Sequence, residues 1–139
     1  MKVYIAASWR HEHAVRMLTD ELRRLGIEVV SFVENEVEAG KIQEEGFNQW
    51  VWSDDGEDKF LFDTDGATTS DYVIYLGPSG ADAWAEVGIA WASGVPVLGL
   101  WAKGEPIGLM RRLVAEWFYH HQSLLVYFEE ELKRRGTPR

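Results

Sequence analysis

Two carboxylates and a phenol, Glu86, Asp63 and Tyr4, are the residues whose types and placement suit chemistry. Glu86 stands among short side chains, Ala83, Ala85 and Gly88, that let a ligand approach. Asp63 precedes Thr64 to Ser70, a segment whose end feeds a strand, and Tyr4 belongs to the first strand, at the same edge of the expected sheet. Such a set around a crevice suits cleavage of a glycosidic bond: one carboxylate attacks the anomeric carbon while another group handles the proton of the leaving group. Glu86 alone would read as a solvated helix glutamate; Asp63 and Tyr4 set it apart.

Other chemistries are excluded by spacing. The turn Gly77-Pro78-Ser79-Gly80 has neither the GxxxxGK[ST] pattern of a triphosphate loop nor the GxGxxG of a dinucleotide fold. A phosphorelay receiver wants an aspartate where this chain has Gly77. His11 and His13 are two apart on a helix and face different ways, and His120 and His121 are adjacent, so these read as surface or cap histidines rather than a metal set. Asp54-Asp55-Gly56-Glu57-Asp58 lacks the spacing and distal glutamate of a calcium loop. With no cysteine there is no disulfide framework and no thiolate site. No metal and no organic cofactor is expected.

The elements that position these residues follow from the apolar pattern. Asp71 to Leu100 reads as strand (Tyr72 to Leu76), turn, helix (Ala83 to Ala92, capped by Ser79 or Asp82 and ended by Ser93-Gly94) and strand (Val97 to Trp101). Two apolar strands joined by a helix form a βαβ unit in a parallel sheet. Val3 to Ala7 is the first strand; His11 to Leu25 carries Val15, Leu18, Leu22 and Leu25 at helical spacing; Ile27 to Val33 is the second strand. Glu34 to Phe62 is an acidic excursion with one or two helices, a candidate rim or lid over the crevice, or a surface helix whose Trp50 and Trp52 pack on the core. Leu109 to Ala115 is a short helix, Trp117 to Tyr119 a last strand, and Ser123 to Arg135 a closing helix with Leu124, Tyr127, Phe128 and Leu132 inward. The pattern predicts an α/β, flavodoxin-like three-layer sandwich with a five-stranded parallel sheet in the order 2-1-3-4-5. Its ligand crevice lies at the switch point between strands one and three, with Ser8-Trp9-Arg10 and Gly77 to Gly80 as lips.

The chain's 139 residues, 46% of them hydrophobic, suit one domain, residues 1–139, that needs no staples. The N-terminus lacks the apolar core of a signal peptide and no stretch approaches the roughly 18 apolar residues of a membrane span, so a cytoplasmic protein with no membrane partner is expected. The net charge of −9 is concentrated between Glu34 and Lys59, where nine acids face two lysines. Such a surface repels a nucleic-acid backbone, which disfavours polymeric DNA or RNA as a partner but not a single nucleotide.

From Lys2 to about Leu109 the chain resembles the nucleoside 2-deoxyribosyltransferase superfamily, including its 2'-deoxynucleoside 5'-phosphate N-hydrolases. Four pieces carry the resemblance: VYIAASWR (Val3 to Arg10); Asp63, eight residues before Asp71; Gly77-Pro78-Ser79; and Glu86-Val87-Gly88, similar to the family's Glu-Leu-Gly. The resemblance implies Glu86 as nucleophile, Asp63 as manager of the proton on the base, and Tyr4 as the residue holding Glu86. It further implies that Ser8, Arg10 and Ser79 form an anion-binding end, helped by backbone N–H groups where the helix starts, at Gly80 to Asp82. The implied reaction is N-glycosidic cleavage or deoxyribosyl transfer on a 2'-deoxynucleoside or its 5'-monophosphate through a glutamyl intermediate, by a homo-oligomer of two or more subunits. The chain departs from the family in the tryptophan of Ala83-Trp84-Ala85, in a loop one residue longer than in the hydrolases, and in Gly108, where the hydrolases offer a serine. Two alternatives stand beside this reading. Trp84-Ala85-Glu86 is also similar to the tryptophan-to-glutamate stretch of TIR-like NAD glycohydrolases, and the altered loop with Gly108 suits a non-catalytic nucleotide-binding module.

Overall fold

A strand covered on both faces needs an apolar residue at every position, whereas one with a wet face alternates. Lys2–Ala6 (β1) is buried from Val3 onward, and all of Tyr72–Leu76 (β3) is buried. In the computed structural model, which describes residues 1–34 and 44–136, these strands lie side by side at the centre of a parallel sheet. Glu28–Ser31 (β2), Val97–Leu100 (β4) and Glu116–Phe118 (β5) complete it in the order β2-β1-β3-β4-β5. The register sets Tyr4 against Val30 on one side and Val73 on the other.

The alternation of side chains divides the core in two. Val3, Ile5, Tyr72, Ile74 and Leu76 point to one face, where they meet Val15, Leu18 and Leu22 of α1 (Glu12–Arg24) and Leu124 and Phe128 of the C-terminal helix His121–Gly136. Tyr4, Ala6, Val73 and Tyr75 point to the other, against Ala67 of Asp54–Thr69 and Ala83, Val87 and Ala90 of Ala81–Ala92. Numbered in chain order, the helices are α1, α2 (Glu44–Val51), α3 (Asp54–Thr69), α4 (Ala81–Ala92) and α5 (His121–Gly136). The second face is lined by small helix residues, so α3 and α4 sit close to the sheet at the switch point between β1 and β3.

The expected elements are present with shifted edges. The second strand ends at Ser31, and Phe32–Glu34 turns away as a 3-10 segment; Leu109–Leu113 is likewise 3-10 rather than α. Asp54 to Asp58 is the start of α3, not a loop: Ser53 caps it, its Oγ accepting from the Gly56 N–H at 3.2 Å, and the acids sit at the end of the helix dipole that favours negative charge. Asp63 is therefore a mid-helix residue. Neither Ser79 nor Asp82 caps α4; its N-cap is Gly80, because the Ser79 hydroxyl is taken by the Leu76 carbonyl at 2.6 Å. Of the expected rim, residues 35–43 lie outside the described residues; of its tryptophans, Trp50 is half-buried and Trp52 exposed.

Candidate active site

Tyr4 is fully buried, and its hydroxyl donates to Oε2 of Glu86 at 2.9 Å. β1 delivers the phenol to the helix-covered face, and the second turn of α4 delivers the carboxylate. What lets them meet is Gly66 on α3: a Cβ added there would lie 2.4 Å from Cδ1 of Tyr4, well inside van der Waals contact. The helix backbone thus rests directly on the phenol ring. Asp63 lies three residues before Gly66 and Lys59 four before Asp63, so both fall on the same face of α3 as the glycine. Nζ of Lys59 donates to Oδ1 of Asp63 at 2.7 Å and to the carbonyl of Phe32 at 3.3 Å, and the lysine is only 4% exposed.

The charges in this space act on one another. Burial and the neighbouring Asp63 push the Glu86 carboxyl up to about 8, opposed by the Tyr4 hydrogen bond and by Lys59. Burial raises Asp63 as well, but Lys59, through charge and hydrogen bond, works against that rise. Tyr4 is raised well above an ordinary phenol by burial and by both carboxylates, so it acts as a hydrogen-bond donor and not as a base. The ion pair with Lys59 thus falls on Asp63, while Glu86 has the Tyr4 hydroxyl as its hydrogen-bond partner.

The two lips of the crevice are stitched together. Ser8 N–H donates to Oγ of Ser79 at 2.9 Å, and Gly80 N–H donates to Oγ of Ser8 at 2.9 Å. The backbone N–H of Ser79 donates to the Tyr75 hydroxyl at 3.0 Å. The Pro78 carbonyl accepts from Nη2 of Arg10 at 2.9 Å and is also bonded to Nε2 of His11. Through Gly80, Ser8 Oγ is bonded to the N-cap of α4, whose leading N–H groups have no acceptor within the helix. Asp82, exposed in that turn, adds negative charge that raises both Asp63 and Glu86.

Every residue expected at the site is therefore on this edge of the sheet, in two groups: Tyr4, Asp63 and Glu86 at the buried end, and Ser8, Arg10, Ser79, Gly80 and Asp82 at the mouth. Lys59, Gly66 and His11 were not anticipated. The signal for Lys59 was its spacing of four from Asp63 on a helix; for Gly66, a glycine inside that helix. Among the described residues, no group of three or more His, Cys, Asp or Glu is arranged to hold a metal ion, and no helix is long and apolar enough to cross a membrane.

No protein-family model and no curated protein matches the sequence. Solved structures do share its fold. A 2-deoxyribosyltransferase from the psychrotolerant bacterium Bacillus psychrosaccharolyticus, described as a biocatalyst for nucleoside synthesis, superposes with a TM-score of 0.65 at 19% identity, over 90% of each chain. A conserved protein from Enterococcus faecalis V583 gives 0.69 at 21% identity, over 97% of this chain and 98% of that one. The CMP N-glycosidase BcmB of Clostridium botulinum gives 0.58 at 20% identity, over 93% and 98%. At these identities the shared property is the five-stranded parallel α/β fold.

The Glu86 shift has a thermodynamic consequence. A carboxyl whose folded pKa lies near 8 and whose unfolded value is near 4.5 binds more protons in the folded state between those limits, so stability is lost as pH rises through that window. Glu86→Gln removes this loss. Urea unfolding at pH 5 and pH 8.5 is expected to show the variant gaining on the parent at the higher pH by on the order of 1–3 kcal/mol. An equal difference at both pH values would contradict the raised carboxyl.

Proposed function

We propose that the protein cleaves the N-glycosidic bond of a 2'-deoxynucleoside or its 5'-monophosphate, or transfers the deoxyribosyl group to a second base, through an ester on Glu86. The observation that carries this reading is the Tyr4–Glu86 hydrogen bond with Asp63 alongside, at the switch point of the sheet. A helix glutamate held by a buried phenol and partly shielded from water has the setting of a nucleophile; an exposed, solvated one does not. The fold shared with a 2-deoxyribosyltransferase and a CMP N-glycosidase supports the same reaction class.

In this mechanism, the Glu86 carboxylate attacks C1' while the C1'–N bond breaks and the departing base takes a proton from the Asp63 carboxyl. Tyr4 fixes the attacking carboxylate by bonding Oε2. In the second half, water or another base attacks C1', the ester bond breaks, Glu86 is released, and Asp63 receives the proton lost by the incoming nucleophile. The chemistry draws only on side chains of the protein. Ser8, Arg10, Ser79 and the α4 N-terminus form the end that receives the 5' substituent.

Incubation with a panel of deoxynucleosides, deoxynucleotides, ribonucleotides and NAD, with and without an acceptor base, tests the reaction by chromatography of the products. Free or exchanged base from the 2'-deoxy substrates is expected, and Glu86→Gln should remove nearly all turnover while ligand still binds. Release of nicotinamide from NAD alone would favour the glycohydrolase reading, and near-normal turnover in Glu86→Gln would exclude it as nucleophile.

Arg10→Ala separates a phosphate contact from a merely structural one, since the side chain also braces Pro78. A loss of kcat/KM at least about tenfold larger on monophosphates than on nucleosides is expected from removing a charge-assisted contact. Equal losses would assign Arg10 to the loop alone.

The same reading includes an oligomer of at least two subunits. Trp91 at the end of α4 is 62% exposed, and Leu109 and Met110, on the 3-10 segment that contacts α4, are 73% and 59% exposed. Exposed large apolar side chains of this kind mark subunit contacts. Sedimentation equilibrium at micromolar protein should give at least twice 15.9 kDa; a fully active monomer would refute the assembly.

A further inference from the structure

Among the described residues, Lys59 is the one lysine or arginine in the buried set. Its ammonium lies 5.3 Å from the ring centroid of Phe32 and 5.6 Å from that of Phe62, with Asp63 and the Phe32 carbonyl as its polar partners. An unbranched apolar side chain such as methionine would fill the same slot without the cost of taking a charge out of water, and buried ion pairs are weak sources of stability. A cation at this position calls for a reason other than packing. The reason lies in what it touches: its partner Asp63 is one of two acids around a single phenol, and two like charges in a partly dry space do not both ionise readily.

We propose that Lys59 is a positioning residue for this carboxylate pair: its ion pair keeps Asp63 the charged member, so that the one proton the two acids share rests on Glu86 until substrate binds. The proton then passes from the Glu86 carboxyl to the Asp63 carboxylate, leaving Glu86 charged and Asp63 neutral. Glu86 can now attack C1', the C1'–N bond breaks, and the same proton leaves with the base on Asp63's side. One proton thus serves both acids, with none drawn from solvent in the first half of the reaction. The inference rests on the proposed roles of Glu86 and Asp63, but the location of the proton in the empty site does not.

The groups that act on the pair come from each element around it: Tyr4 from β1, Lys59 and Asp63 from α3, and Glu86 and Asp82 from α4. Of these, Lys59 alone is positive, so its removal and its conservative replacement have distinct effects.

Carbon-13 NMR of protein labelled at glutamate side chains follows the Glu86 carboxyl through a pH titration of the free protein, with Glu86→Gln assigning the signal. Lys59→Met is expected to move the Glu86 midpoint upward by about one pH unit or more, Lys59→Arg to leave it near the parent, and Asp63→Asn to move it downward. Lys59→Gln, which keeps a hydrogen-bond donor but no charge, gives the same upward shift and stands in should the methionine variant fail to fold. In activity assays, the falling limb of kcat/KM against pH, where the pair loses the proton that must reach the base, should move up with the NMR midpoint in Lys59→Met and Lys59→Gln. An unmoved midpoint in a folded charge-removed variant, or a rate lowered evenly at all pH values, would overturn the proposal. A protein that shifts its midpoint as expected but cleaves no substrate would leave the proton placement standing and remove the glycosidase reading instead.

Discussion

The contact between the backbone of α3 at Gly66 and the ring of Tyr4 is the constraint on which the site depends. With no side chain at Gly66, the helix settles onto the phenol, and the turns before it bring Asp63 and Lys59 to the level of the Tyr4 hydroxyl. α4 packs on the same face of the sheet with Ala83, Val87 and Ala90, and its Glu86 comes within hydrogen-bonding reach of the Tyr4 hydroxyl. Small residues on both helices therefore do for the site what large residues do for the opposite face of the sheet: they set the distance between layers. On that opposite face, Leu22, Ile74, Leu124 and Phe128 fill space and carry no chemistry.

A second constraint is the pairing of the lips. Parallel strands whose crossovers run in opposite directions leave a gap beyond their carboxyl ends. Here the gap between β1 and β3 is spanned by hydroxyl-to-backbone bonds from Ser8 and Ser79 and by two basic side chains converging on one carbonyl. The mouth is thus held in shape before any ligand arrives, and ordering it does not have to be drawn from binding energy. The buried end gains its character from dryness, which raises Glu86 and Tyr4, and the mouth gains its character from backbone dipoles.

Much of this was legible from residue types. β1 and β3 announce themselves as unbroken apolar runs, since strands covered on both faces cannot alternate, and their order with the intervening helices leads to the switch point. Glu86 and Tyr4 follow from that placement. α3 was harder to read: its first turn is a run of acids, and a glycine interrupts it, both of which argue for a loop if the cap at Ser53 and the ring beneath Gly66 are unknown. The capping of α4 was misread for a related reason, because a serine before a helix looks the same whether its hydroxyl serves the helix or, as for Ser79, the preceding strand and the opposite lip. Lys59 carries no sign of burial in its type; only the fold puts two aromatic rings around it.

The raised carboxyl of Glu86 also makes it a chemical handle. Near neutrality, a carboxyl of ordinary acidity has lost its proton. Reagents that esterify only the neutral acid, such as diazo compounds, act on the few carboxyls that keep theirs. Glu86, raised to about 8 by burial and the neighbouring Asp63, is the carboxyl such a reagent would mark ahead of the exposed aspartates and glutamates. A bound ligand would shield it, so the extent of ester formation becomes a direct gauge of how much of the site is occupied, without any turnover being needed.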